Sequence, residues 1–381
     1  MSKRLIVVLA LALVVGLTFS AAYAEVQNVK VSGDLNFLGA IRNNFSLRRG
    51  NEGNRHDNDE SFFATQARVR IDADLTDNVA ATVRLINERK WGNNNNSSNS
   101  ETGIDLDLAY VTLKEFLYSP LSFTIGRQEL MYGNKLILGN RGISSKRTHG
   151  LPTDLSSQKS FDSIKAVFNY DPLVVDLIYS KISETSSRGV KDDANLFGIY
   201  GSYDINKNLK ADLYGFYKGT KNKKDSPSAT KLKGDQIYTI GTLIIATPIK
   251  NLKTSLEAAL QFGRHRENAT NPGDKQRKAW ALQAMADYTF ADTKYVPSIG
   301  ASFIHLSGDK ASTDTTSGKR GWDSMYYDQA LNSITHAIIP FTNLNVLNLR
   351  GSMKPADDIT LSANYGFYMR DRKSGNMASP A

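Results

Sequence analysis

From Val29 to Arg370 apolar and polar residues alternate in runs of about 10–15, with turn-rich segments between them. The run Arg68-Val69-Arg70-Ile71-Asp72-Ala73-Asp74-Leu75 is the clearest: every second residue is charged and those between are apolar. Lys253, Ser255, Glu257, Ala259 and Gln261 form one mostly polar face against Leu252, Leu256, Ala258, Leu260 and Phe262. Side chains of an extended chain point alternately to opposite sides, so each run reads as a strand with two unlike faces. No stretch combines a helical period with start and stop signals. The pattern predicts fifteen strands, at about 29–46, 62–75, 79–91, 104–116, 121–132, 160–170, 173–183, 194–204, 208–219, 235–247, 251–264, 278–291, 296–307, 343–354 and 358–370.

The connectors alternate strictly between long and short. Thr76-Asp77-Asn78, Tyr118-Ser119-Pro120, Asp171-Pro172, Ile205-Asn206-Lys207, Pro248-Ile249-Lys250, Asp292-Thr293-Lys294 and Pro355-Ala356-Asp357 are short. The segments 47–61, 92–103, 133–159, 184–193, 220–234, 265–277 and 308–342 are long. One end of the sheet is therefore trimmed and the other elaborated. A transmembrane β-barrel has that asymmetry, with short periplasmic turns and long outer loops, whereas a Greek-key sandwich has no cause for it. Strands of about ten residues or more suit a tilted membrane crossing. Aromatics near strand ends, among them Phe62, Trp91, Tyr118, Phe168, Tyr170, Tyr203, Tyr238, Tyr288, Phe290 and Tyr295, fit interfacial girdles. The expected fold class is all-β: an up-and-down antiparallel transmembrane barrel.

The amino terminus is different. Lys3-Arg4 precedes an apolar run from Leu5 to Leu17, and Ala22-Tyr23-Ala24 supplies a small-x-small cleavage site. Residues 1–24 read as a cleaved signal peptide and 25–381 as the barrel, exported to the outer membrane of a Gram-negative-type bacterium. No cysteine occurs in the 381 residues, which excludes a disulfide scaffold, a thiol nucleophile and cysteine-ligated zinc. The formal charge of +9 is modest and both signs are interspersed, so nucleic acid is not an expected partner.

A Lys or Arg facing lipid at mid-depth costs about 2–4 kcal/mol, so charges that alternate with apolar residues are placed in the lumen. The basic candidates are Arg68, Arg70, Arg84, Arg127, Lys165, Lys210, Lys253 and Arg350. The acidic candidates are Asp72, Asp74, Asp105, Asp107, Asp176, Asp212, Glu257 and Asp287. Cations on a pore wall lower the barrier for anions, and neighbouring acids limit how tightly anions stick. Cross-strand pairing that merely holds the wall in shape is the competing reading.

Gly126-Arg127-Gln128-Glu129-Leu130-Met131-Tyr132-Gly133 closes one strand, and Ser160-Phe161-Asp162-Ser163-Ile164-Lys165 opens the next. With Trp322-Asp323 and Asn343 to Arg350 downstream, these motifs resemble the alginate export family of outer-membrane barrels. The resemblance implies a monomeric eighteen-stranded barrel, seated in outer-membrane lipid, that passes an anionic solute or polysaccharide by diffusion. It also implies pore-lining roles for Arg127 and Asp162. The sequence departs from the pattern at Asn134-Lys135 and Lys159. Fifteen strands are an odd number, and single-chain bacterial barrels have even counts. A missed strand near Ala337-Ile338-Ile339 is one account; the preferred one is a sequence lacking about three carboxy-terminal strands, of 16–18 in the complete protein, with an open seam beside the first strand.

No catalytic, metal or cofactor site is expected. The histidines, His56, His149, His265, His305 and His336, form no pair at metal-ligand spacing, and no Gly-x-Ser-x-Gly elbow occurs. The alternatives to a channel are a phospholipase-like barrel enzyme with a Ser/His pair at its outer rim, and a structural or adhesive barrel with a plugged lumen.

Overall fold

The computed structural model describes residues 28–43, 60–92, 103–139, 151, 155–158, 160–183, 193–220, 234–265, 275–309, 321–328 and 339–373. The leader, most of the long connectors and the candidate strand at Ala337-Ile338 lie outside these residues. Fifteen strands form one antiparallel sheet in simple sequence order. They are β1 (Asn28–Arg42), β2 (Glu60–Thr76), β3 (Val79–Lys90), β4 (Asp105–Leu113) and β5 (Leu121–Gln128). Then follow β6 (Phe161–Tyr170), β7 (Leu173–Ser183), β8 (Ala194–Asn206), β9 (Leu209–Thr220) and β10 (Gln236–Ile249). The last are β11 (Leu252–His265), β12 (Lys275–Thr289), β13 (Ser298–Leu306), β14 (Leu344–Ala356) and β15 (Ile359–Arg370). The sheet is not closed: β1 and β15 are its two edges and do not pair with each other.

Alternation sets the two faces. On β2, Val69 and Ile71 are exposed while Gln66 between them and the strand start is buried on the other side. On β10, Tyr238, Ile240 and Ile244 are exposed, whereas Ile237, Thr239 and Leu243 are buried. Large exposed apolar side chains recur on this outer face of every strand except β5, whose outward Phe123 and Ile125 are half-buried. An apolar surface so extensive is at home in lipid, where the paired backbone of a sheet leaves no bare polar groups. The short turns follow local chemistry: the Asn206 carboxamide accepts a bond from the Asn208 N–H at 2.8 Å, and Asn251 sits at φ 68°. Tyr118 and Tyr170 hydroxyls meet at 3.0 Å near that same end, an aromatic pair at the membrane boundary.

One strand ends earlier than its apolar pattern suggests. β5 stops at Gln128 rather than near residue 132. Gly126 lies at φ 126°, and a Cβ there would come within 2.2 Å of the Ala109 carbonyl oxygen, so only glycine lets β5 close onto β4 here. Beyond Gln128 the chain leaves the sheet and turns into the interior.

Candidate functional site

The inner face holds more than charges. Leu130, Leu136, Ile137 and Leu138, all from the segment after β5, are each at most 3% exposed. They pack in a single apolar cluster with Phe161, Ile178, Leu196 and Phe216 from β6 to β9 and with Ala281, Ile304, Leu306 and Val346 from β12 to β14. A second inward segment, 321–328, joins them. Leu138 and Tyr326 form a parallel bridge; the Gly139 N–H donates to the Tyr326 carbonyl at 2.7 Å and the Tyr326 N–H to the Ile137 carbonyl at 3.0 Å. The Asp328 N–H donates to the Lys135 carbonyl at 3.0 Å. Two long-loop segments thus meet through one isolated β-bridge and flanking backbone bonds, and pack against the inner face of strands between β6 and β14. Burying a Leu contributes about 1.5–3 kcal/mol, so this plug is held by several such residues together.

Polar contacts tie the plug to the wall. The Asp323 carboxylate lies 3.0 Å from Lys218 Nζ on β9 and 3.9 Å from Arg277 Nη2 on β12. The Met325 N–H donates to it at 2.8 Å, and the Gln261 amide donates to the Asp323 carbonyl at 2.7 Å. Burial opposes ionisation of Asp323, but Lys218 and Arg277 outweigh it and hold the carboxyl below its ordinary range. Tyr132 donates to Asp176 on β7 at 2.6 Å, and burial pushes its own hydroxyl well above the usual tyrosine range.

Beside the plug a cavity of about 380 Å³ remains, bounded by β2, β4, β5, β6 and β7. Arg70, Tyr110, Glu129, Tyr132, Lys165 and Asp176 line it. Most of the wall's charges are paired. Arg70 binds Asp72 through Nε and Nη2, both at 2.8 Å, and Thr82 donates to the same carboxylate at 2.7 Å. Arg84 bridges Asp107 at 2.5 Å and Glu129 at 2.6 Å. Arg68 reaches Asp34 at 2.9 Å, and Arg350 forks onto Asp287 at 2.8 and 2.9 Å while also donating to Ser302. Tyr200 and Ser202 donate to Asp212, and Tyr214 donates to Glu257. Lys165, Lys210 and Lys253 make no hydrogen bond or ion pair among the described residues. Lys165 faces the cavity; Lys210 and Lys253 lie on the inner face at the short-turn end of β9 and β11.

Eight of the ten expected pore-lining residues share the inner face: Arg68, Arg70, Arg84, Lys165, Asp176, Lys210, Lys253 and Arg350. Arg127 and Asp162 do not. Arg127 pairs in register with Ala109 and with Asp162, on the side of Ile125 and Ile164 rather than that of Gly126 and Ser163. Both therefore lie on the outer face, one residue from the long-loop end of their strands, with Arg127 Nη1 3.8 Å from Asp162. The cost of a charge facing lipid falls to about 0–1 kcal/mol near the interface, which is why this pair is tolerated there. The residues missed by the alternation were Lys218, Arg277 and Asp323. The first two occupied regular inward positions, but only the fold of 321–328 brings their partner to them.

Among solved structures, the in-vitro folded OmpT, an outer membrane protein of Vibrio cholerae, is 14% identical over 91% of this chain and 89% of that chain, with a TM-score of 0.47. A triple mutant of the Rhodopseudomonas blastica porin is 11% identical over 89% of this chain and 94% of that one, with a TM-score of 0.42. Both likenesses are distant. No curated protein matches the sequence. The family model for alginate export matches residues 34–380, nearly the whole sheet. With an apolar outer face, an up-and-down topology and a charged interior, the chain belongs to the alginate export family and is an outer-membrane β-barrel channel.

Proposed function

We propose that the channel passes anionic solutes by diffusion, acidic polysaccharides such as alginate among them, through the part of the lumen that the inward segments leave open. The observation that carries this reading is a set of inward lysines that stand outside the ion pairs of the wall. Lys165, Lys210 and Lys253 make no ion pair among the described residues, although Asp176 lies in the same cavity as Lys165, whereas Asp34, Asp72 and Asp287 each pair with one arginine and Asp107 and Glu129 share Arg84. A paired arginine presents little net charge to a passing ion. An unpaired lysine presents all of its own, and without a bidentate partner it holds an anion loosely enough to release it. Lys165→Glu reverses the charge in the cavity and is expected to lower the anion-to-cation permeability ratio several-fold in planar bilayers. An unchanged ratio would remove Lys165 from the path. The barrel acts as a monomer after loss of the 1–24 leader, and the mass of the protein recovered from outer membranes checks both points.

The paired plug favours a second reading, in which the resting barrel is closed and serves as a wall. Conductance separates the two: a closed barrel gives none until the plug is released, whereas the cavity beside the plug predicts small, steady events from the intact protein.

A further inference from the structure

The outer face carries an arrangement that permeation does not use. The register lines up outward side chains in rows that cross the strands. Tyr179, Phe197, Tyr217, Tyr238 and Phe262 form one such row on β7 to β11, with ring centroids 4.8, 6.1, 4.9 and 5.4 Å apart in turn. The next row away from the loops contains Ala166 and Gly215, which leave a depression between larger neighbours. The result is a groove of about 660 Å³ lined almost wholly by apolar side chains.

The aromatic row leads directly to a second pocket. Phe262 pairs in register with Lys278 on β12. Lys278 borders a cavity of about 300 Å³ with Trp280, His305, Asp371 and Arg372. The Trp280 and His305 rings stack with centroids 4.0 Å apart, and His305 Nδ1 lies 2.7 Å from the Asn345 side-chain oxygen, which fixes the imidazole plane. Lys278 is exposed and has no hydrogen bond or ion pair among the described residues. Arg372 keeps 55% of its side chain exposed, with Nε 3.5 Å from Asp371. All of this lies toward the long-loop end of the sheet, which in such barrels faces the outer leaflet.

Two cations beside a flat aromatic platform suit a phosphorylated sugar: the ring faces take its C–H groups, and Lys and Arg take phosphate. The groove suits acyl chains. The two sites touch through Phe262 and Lys278, so one amphiphile can fill both. We propose that this surface binds a phosphorylated, multiply acylated glycolipid of the outer leaflet, its phosphosugar at Lys278, Trp280 and Arg372 and its chains under the aromatic row. A glycerophospholipid offers a phosphate but no sugar for the platform, and a second copy of this chain would have to bring acidic groups to Lys278.

The test uses the full-length folded protein in detergent and native mass spectrometry with four probes: diphosphoryl lipid A, dephosphorylated lipid A, phosphatidylglycerol and phosphatidylethanolamine. The wild type is expected to retain diphosphoryl lipid A roughly tenfold better than either phospholipid or the dephosphorylated form, the size expected for about one charge-assisted contact. The pair Lys278→Glu and Arg372→Glu should lose that advantage while the heat-dependent gel shift of the folded barrel is unchanged. Gly215→Trp fills the groove instead; a Cβ at that position meets Ile199 at 3.5 Å, an ordinary contact, and the same gel shift checks that the variant folds. It should weaken both forms of lipid A without restoring a preference for phospholipid. Equal retention of all lipids, equal retention by wild type and the double variant, or a dimer that excludes lipid from the groove would each overturn the proposal.

Discussion

At the scale of the residue, the instructive case is Arg127. The motif around it resembles a pore-lining motif, yet alternation counted from Phe123 and Ile125 along the same strand already puts it on the lipid side. Where a family resemblance and a two-residue period disagree, the period reflects the sheet's geometry and the motif does not. Asp162, beside Ile164, follows the same rule. Both belong to the rim, where a charge costs little. Arg127→Ser should therefore leave ion selectivity as it is, in contrast to Lys165→Glu; a clear loss of anion preference in Arg127→Ser would return that residue to the lumen. The inward set was readable for the opposite reason: Arg68, Arg70, Arg84 and Lys165 alternate with apolar residues that lipid accepts. Which of them would be paired was not readable, since Arg84 meets Glu129 only because the chain turns inward after Gln128.

At the scale of the element, strands were legible and the plug was not. The fifteen strands lie where alternation and turn residues put them, most within about two residues at each end. The segment after β5 read as strand and then loop because Leu130, Leu136 and Leu138 have no regular period to mark a partner. Their partners on β8, β12, β13 and β14 left one trace: inner faces with Leu196, Ala281, Ile304 and Val346 where a water-filled lumen calls for polar residues. Asp323 is the polar latch of this plug, and its pH behaviour follows from sign. Its carboxyl is held below the ordinary range, so the ion pairs to Lys218 and Arg277 are fully present above the unfolded value of about 3.9 and are lost as pH falls through the lower folded value. Single-channel conductance should be flat from pH 8 to 5 and rise only below about pH 3.9. Asp323→Asn should raise it at neutral pH, because losing charge-assisted bonds weakens docking by about 1.5–3 kcal/mol. A rise between pH 8 and 5, or an Asn variant with wild-type conductance, would show that the plug is held by its apolar contacts alone.

At the scale of the whole molecule, the long-short alternation of connectors fixed the architecture before any contact was known. Only an up-and-down sheet places all seven long connectors at one end, and the observed order β1 to β15 is that sheet. The solute path was less accessible to sequence. It depends on how much of the lumen the two inward segments fill, and they leave a charged cavity on the β2–β7 side and apolar packing on the other. The central claim is that the lumen prefers anions because Lys165, Lys210 and Lys253 face it outside any ion pair among the described residues. The most direct measurement is the reversal potential of the intact protein in a planar bilayer under a potassium chloride gradient. The expected sign is that of chloride permeating faster than potassium, and a reversal potential of the opposite sign would contradict the account.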